Sequence, residues 1–143
     1  MQSEEKTMAD MYILQGSHNT GKTETLVAVI DILRNKYPGA TASFMVNRKD
    51  KKVVFTNIRG TLKVGIETQG DPNSRLEASL NDFETMGCDI IFCACRTKGK
   101  TVAIVNAHST KYTLHFTRQT VVSSGFSASN IVVANSLVKA AGL

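Results

Sequence analysis

The sequence predicts an α/β domain of three layers, in which helices cover both faces of a mostly parallel β-sheet. The apolar runs at residues 11–14 and 89–95 are nearly unbroken, as is typical of parallel strands buried on both faces. Other segments place apolar residues at three- and four-residue steps, the period of a helix. Residues 40–66 alternate with a period of two instead, so we expect an antiparallel hairpin or edge strand beside the parallel ones.

The first half of the chain contains four predicted strands and one helix. A strand at residues 11–15 leads into a helix that begins at Lys22 and ends before Pro38 and Gly39. The apolar stripe of this helix consists of Leu26, Val29, Ile30, Leu33 and Tyr37. The remaining strands are predicted at residues 40–46, 52–58 and 62–66, with a polar turn at residues 47–50.

The second half alternates helices with strands. Asp71 is the predicted N-cap of the second helix, with Pro72 at its first helical position and Gly87 as its stop. Its predicted buried face consists of Leu76, Leu80, Phe83 and Met86. After it we expect a strand at residues 89–95, a short helix at 101–107, a strand at 112–116 and a last helix at 128–141.

Size and composition fit one globular domain. The chain has 143 residues, 42% of them hydrophobic and 20% charged. We expect residues 1–9 to form a flexible tail and residues 10–143 to form the domain. No apolar run approaches the roughly 18 residues of a membrane span, and the polar N-terminus is unlike a signal peptide, so the sequence predicts a cytoplasmic protein without a membrane partner.

Charge and cysteine content argue against two classes of site. The formal net charge of +5 is mild and its basic residues are scattered, which does not favour nucleic-acid binding. Cys88, Cys93 and Cys95 lie in or beside one apolar run and have no zinc-binding spacing. We expect them to be reduced thiols that pack as small hydrophobic side chains.

The segment GSHNTGKT, residues 16–23, lies between the first strand and the first helix. Its glycines allow positive φ, so that successive N–H groups can point at one anion, and the following helix presents its N-terminal dipole to the same anion. With this G-x-x-x-x-G-K-T spacing, residues 11–37 resemble the P-loop nucleoside triphosphatase and kinase superfamily. The resemblance implies a nucleoside triphosphate and Mg²⁺ as ligands.

The resemblance also implies roles for individual residues. Lys22 would contact the β- and γ-phosphates, and the hydroxyl of Thr23 would bind Mg²⁺. The predicted nucleotide-binding residues are Gly16, Ser17, His18, Asn19, Thr20, Gly21, Lys22, Thr23 and Glu24.

A P-loop enzyme also needs an acid at the end of a neighbouring strand. Glu67 and Asp71 both follow the strand at residues 62–66, so each is a candidate for the magnesium shell or for the attacking nucleophile. Capping of the second helix explains Asp71 equally well. Arg96 opens the basic loop RTKGKT after a buried strand and is the candidate that stabilises charge on the transferring phosphoryl group. The predicted catalytic residues are therefore Lys22, Glu67 and Arg96.

Two segments are similar to GTPase elements but depart from them. Glu67-Thr68-Gln69-Gly70 has glutamate in place of the aspartate of D-x-x-G. Thr97-Lys98-Gly99-Lys100 has lysine in place of the aspartate that pairs with guanine, and lysine offers only donors. ATP is therefore the predicted nucleotide.

We therefore expect a Mg²⁺-dependent ATP-binding protein that hydrolyses ATP. One alternative is a small-molecule or nucleotide kinase, which would pass the γ-phosphate to an acceptor substrate. The other is a nucleotide-binding switch, or GTPase-like module, that does not turn over without a protein partner.

Overall fold

A computed structural model of the chain describes residues 8–17, 20–121 and 125–143. These residues form six strands and four helices. The strands are β1 (Ala9–Gln15), β2 (Thr41–Asn47), β3 (Lys51–Ile58), β4 (Leu62–Glu67), β5 (Ile90–Cys95) and β6 (Tyr112–Arg118). The helices are α1 (Lys22–Lys36), α2 (Leu76–Thr85), α3 (Lys100–Asn106) and α4 (Phe126–Ala140). Within the described part of the chain, no helix is both long and apolar enough to cross a membrane.

The strands form one mixed sheet in the order β2-β3-β4-β5-β1-β6. β5 is parallel to β4 and to β1, and β6 is parallel to β1. β3 is antiparallel to both β2 and β4, so β2 and β3 form the predicted hairpin at one edge. The predicted α/β class and mixed sheet are confirmed.

Helices pack on both faces of the sheet because side chains alternate along each strand. In β1, Tyr12 and Leu14 belong to the core that includes α1 and α4. Met11 and Ile13 belong to the opposite core, which includes α2 and α3. All four side chains are buried, so β1 is covered on both faces.

The sheet topology brings several loops to one edge. The four parallel strands β4, β5, β1 and β6 all end there, and ligands of open α/β sheets bind at that edge. Because β3 is antiparallel to β4, the turn at residues 48–50 that precedes β3 lies at the same edge. β5 separates β4 from β1, so the end of β4 is two strands away from the loop that follows β1.

The start of α2 differs from the prediction. The helix begins at Leu76 with Arg75 as N-cap, so Asp71 does not cap it and Pro72 is not its first residue. Residues 71–75 instead form turns, in which Asn73 has a φ of 61°. The Asp71 carboxylate accepts a hydrogen bond from Arg96 Nε at 3.0 Å, and this long-range contact replaces the predicted cap.

Two smaller expectations are also corrected. Met86 is 39% exposed and is the C-cap of α2 rather than part of its buried face. Ala9 already belongs to β1, so the predicted tail is too long by that residue, and residues 1–7 lie outside the described part of the chain.

The three cysteines are free and buried, as predicted. Burial raises the pKa of Cys88 to about 12 and that of Cys95 to about 11. Burial also raises the pKa of Cys93. These thiols therefore stay protonated at neutral pH and act as packing groups.

Candidate functional site

The loop between β1 and α1 lies at the carboxyl edge of the parallel strands. Gly21 is the N-cap of α1, and its φ of 92° is one that glycine adopts without strain. Side chains also crowd the two glycines of the motif. A Cβ on Gly21 would lie 2.9 Å from Asn130 Oδ1, and one on Gly16 would lie 2.6 Å from Thr20 Oγ1. His18 and Asn19, two of the predicted nucleotide-binding residues, lie outside the described residues.

Lys22, at the first position of α1, turns back onto the loop. Its Nζ donates hydrogen bonds to the carbonyl oxygens of Gly16 and Ser17, both at 2.8 Å. The residue is only 7% exposed, and burial lowers the pKa of its ammonium group. Asp71 raises this pKa and Arg96 lowers it, so both charged groups act electrostatically on Lys22.

Thr23 faces an aspartate of the β2–β3 turn that the sequence analysis did not select. Its hydroxyl lies 3.4 Å from Asp50 Oδ1, which also accepts a hydrogen bond from the hydroxyl of Thr68 at 3.2 Å. Asp50 Oδ2 accepts one from Gln69 Nε2 at 3.3 Å. A carboxylate and a hydroxyl therefore meet at the start of α1, beside the candidate phosphate loop.

A cleft of about 230 Å³ opens at this point. It is lined by Thr20, Gly21, Lys22, Thr23, Glu24, Lys49, Asp50, Thr68, Gly70 and Asp71. Arg96 adjoins it through its ion pair with Asp71, whose side chain is half exposed. The structure thus brings the adjacent residues Lys22 and Thr23 together with Asp71 and Arg96, which lie far from them in the sequence.

Glu67 occupies a different position from the one that its predicted role requires. Its carboxylate is fully buried and accepts hydrogen bonds from Arg75 Nε at 2.7 Å and Nη2 at 3.0 Å. Ser79 Oγ, at 2.6 Å, and the Gln69 N–H, at 2.9 Å, complete its partners. Both oxygens are engaged inside the protein, and Glu67 does not line the cleft. Successive side chains of a strand point to opposite faces, so Glu67 points toward Arg75 and Ser79 while the next residue, Thr68, lines the cleft. The structure therefore does not bring Glu67 to the loop as predicted.

No family model, curated protein or solved structure matches the chain. What the cleft can do follows from its own groups. It combines a backbone loop at a helix N-terminus, the buried ammonium group of Lys22, a second lysine, three threonine hydroxyls and three carboxylates. Such a set favours an anion, and in particular an anion that carries a hard cation.

Mg²⁺ is the cation that the donor set fits. Among the residues that the structure describes, no three His, Cys, Asp or Glu side chains cluster closely enough to enclose a metal ion. Mg²⁺ does not need such a cage, since it keeps several waters and is bound by one or two protein oxygens together with substrate phosphates. The Thr23 hydroxyl and the Asp50 carboxylate supply oxygens of this kind.

Proposed function

We propose that the chain is a Mg²⁺-dependent ATP-binding protein of the P-loop type that hydrolyses ATP at its β–γ phosphate bond. The observation that carries the proposal is the position of Lys22. Its ammonium group is buried against the carbonyls of Gly16 and Ser17, at the N-terminus of a 15-residue helix. A triphosphate in the loop would meet this ammonium group and the positive end of the helix dipole together.

The carbonyl contacts of Lys22 support phosphate binding in energetic terms. A buried cation is costly unless it is paired, and two neutral carbonyls compensate its charge only in part. A phosphate oxygen forms a charge-assisted hydrogen bond, which is shorter and roughly twice as strong as a neutral one. Lys22 would therefore transfer from the loop carbonyls to the phosphates when a nucleotide binds.

The metal would lie beside the start of α1. Thr23 Oγ is the predicted ligand, and Asp50 would hold either the ion or one of its waters, since it already lies 3.4 Å from that hydroxyl. Asp71, on the wall of the cleft, is the second carboxylate within reach of the water shell. When bound, Mg²⁺ would neutralise charge on the β- and γ-phosphates.

Hydrolysis would then use positioning and charge stabilisation. A water oxygen bonds to the γ-phosphorus, the bond from that phosphorus to the β–γ bridging oxygen breaks, and the bridging oxygen leaves with ADP. The water keeps one hydrogen as a hydroxyl of the new inorganic phosphate and passes its other proton to an oxygen of that phosphate. Lys22 and Arg96 would stabilise the charge that develops on the phosphoryl oxygens. Asp71, which holds Arg96 at 3.0 Å, would orient that guanidinium group.

A nucleotide-binding switch without turnover is the second candidate. The observation that favours it is that the carboxylate of Glu67 is hydrogen-bonded to Arg75, Ser79 and Gln69. The acid that was predicted to position the attacking water is therefore not at the cleft. In that case a partner would supply the group that positions water.

The decisive experiment compares Lys22→Ala with Lys100→Ala, the lysine at the start of α3. Calorimetry would measure the affinity for ATP, ADP and GTP with Mg²⁺, and phosphate release would be followed with and without candidate acceptors. We expect Lys22→Ala to weaken ATP binding by at least about tenfold and Lys100→Ala by less than about twofold. Equal losses, or no ATP binding by the parent protein, would contradict the proposal.

Turnover distinguishes the function classes. Phosphate release without an acceptor supports the ATPase, acceptor-dependent ADP formation supports a kinase, and tight binding without ADP formation supports the switch.

A further inference from the structure

A second cavity continues from the candidate phosphate loop into the groove between α1 and α4. It has a volume of about 460 Å³, within the roughly 300–1,000 Å³ of small-molecule sites. The cavity shares Thr20, Gly21 and Glu24 with the cleft described above. The remaining lining comes from α1, from α4 and from the segment after β6 (Val27, Ala28, Asp31, Thr120, Val121, Ser127, Asn130 and Ile131).

The groove is apolar along its length and acidic on one wall. Val27 and Ala28 of α1 face it from one side, and Ile131 of α4 lines the other. Ile131 is 51% exposed, so its side chain offers apolar surface to a ligand in the groove. Glu24 and Asp31, two turns apart on α1, add carboxylate acceptors.

At the junction of the groove and the loop, Asn130 presents a hydrogen-bond donor. The hydroxyl of Thr25 donates to Gln119 Oε1 at 3.2 Å, and Gln119 Nε2 then donates to Asn130 Oδ1 at 3.0 Å. Because Oδ1 faces that donor, Nδ2 is directed elsewhere, and a Cβ on Gly21 would lie 3.2 Å from it. Asn130 is only 8% exposed, and none of the described residues accepts a hydrogen bond from its Nδ2.

We infer that the α1–α4 groove binds the nucleoside part of the triphosphate, with a purine base between Val27, Ala28 and Ile131. This inference rests on the proposed function, because the shared residues Thr20, Gly21 and Glu24 make the groove a continuation of the candidate phosphate loop. Asn130 Nδ2 donates to a ribose or α-phosphate oxygen. Glu24 and Asp31 accept hydrogen bonds from ribose hydroxyls and from the exocyclic amino group of adenine.

The test compares ATP with inorganic tripolyphosphate, which has the phosphates of ATP but no nucleoside. Ile131→Glu places a carboxylate in the groove, and Val132→Glu places the same charge on the adjacent residue, which is 65% exposed and does not line the cavity. Affinities are measured by calorimetry with Mg²⁺. We expect Ile131→Glu to weaken ATP binding by at least about tenfold and tripolyphosphate binding by less than about twofold. Val132→Glu should change neither affinity beyond about twofold.

Three outcomes would overturn the inference. If Ile131→Glu leaves ATP binding unchanged while Lys22→Ala abolishes it, the nucleoside lies elsewhere and the proposed function stands. If Ile131→Glu weakens the binding of ATP and of tripolyphosphate equally, or if Val132→Glu weakens ATP binding as much as Ile131→Glu does, the effect comes from the added charge alone and the groove is not the nucleoside site. If Lys22→Ala weakens neither ligand, the proposed function fails first. Circular dichroism of each variant confirms that it is folded.

Discussion

Asp50 connects the β2–β3 turn to the start of α1, because its carboxylate accepts a hydrogen bond from the hydroxyl of Thr23. If it holds Mg²⁺ or a metal-bound water beside Thr23, Asp50→Ala should weaken ATP binding only when Mg²⁺ is present. Loss of an acid next to a metal typically costs about 10- to 100-fold in metal affinity. We therefore expect a loss of at least about tenfold in ATP affinity with Mg²⁺, and a change of less than about twofold in excess EDTA, both measured by calorimetry.

Glu77→Ala is the matched control, because Glu77 is an exposed carboxylate of α2 that does not line the cleft. It should leave both affinities unchanged. An Asp50→Ala variant that binds ATP as tightly as the parent protein in the presence of Mg²⁺ would show that Asp50 only stabilises the turn.

The buried ion pair between Glu67 and Arg75 predicts a large effect on stability. Removing one partner of a buried pair leaves the other charge uncompensated, which typically costs about 3–5 kcal/mol. Because Arg75 is 26% exposed and Glu67 keeps its bonds from Ser79 and Gln69, we expect Arg75→Met to lower the free energy of unfolding by about 3 kcal/mol. Urea denaturation at neutral pH measures it.

Arg96→Met is the comparison, because its pair with Asp71 is partly exposed and such pairs contribute about 0–1 kcal/mol. A loss at Arg75 no larger than that at Arg96 would mean that the Glu67 carboxylate does not depend on its guanidinium partner. Glu67 would then return as a candidate metal ligand.

At the scale of the elements, the segment that follows β4 runs so close to the end of β5 that Gly70 has no space for a side chain. A Cβ there would lie 2.6 Å from the carbonyl carbon and oxygen of Ala94, which belong to the backbone and cannot rotate away. Gly70→Ala should therefore cost about 1–3 kcal/mol in the free energy of unfolding. It should also weaken ATP binding, since Gly70 lines the cleft.

Gly39→Ala is the control, because no atom lies within 4 Å of the position of its added Cβ. In urea denaturation it should be neutral, or stabilising by less than about 1 kcal/mol. A Gly70→Ala variant as stable as the parent would show that the strand ends separate easily.

Most elements were predictable because their signals are local. The period of two in residues 40–66 indicated the hairpin, and the unbroken apolar run of β5 indicated a strand buried on both faces. The start of α2 was not predictable, because Asp71 followed by proline has the local signature of an N-cap. Asp71 instead pairs with Arg96, 25 residues away, and only the order of the strands in the sheet brings these two residues together.

The candidate site divides in the same way. The spacing from Gly16 to Thr23 selects the loop without any tertiary information. Asp50 was missed because an aspartate in a polar turn is explained by the turn itself. Its contact with Thr23 spans 27 residues and follows from the antiparallel pairing of β3 with β4. Glu67 ends a strand, as the prediction requires, but its side chain points to the face of the sheet that carries Arg75 and α2, opposite to Thr68.

For the whole molecule, the buried thiols make the free energy of unfolding depend on pH in alkaline solution. Burial raises the pKa of Cys88 from 9.0 to about 12 and that of Cys95 from 9.0 to about 11. Burial also raises the pKa of Tyr112, whose hydroxyl donates to the Cys88 carbonyl at 2.8 Å. Above about pH 9 the unfolded chain therefore releases protons that the native protein retains, and its stability falls as pH rises.

The expected stability is level up to about pH 8 and then decreases by up to about 1.4 kcal/mol per pH unit for each such group, until the folded pKa values are reached. Urea denaturation between about pH 7 and pH 11 measures this slope. The double variant Cys88→Ala, Cys95→Ala should be less stable at neutral pH, because each substitution leaves a small cavity, but its stability should fall less steeply above about pH 9. An unchanged slope in that variant would assign the alkaline loss to other groups, with the buried Cys93 and Tyr112 as the next to replace, by alanine and phenylalanine respectively.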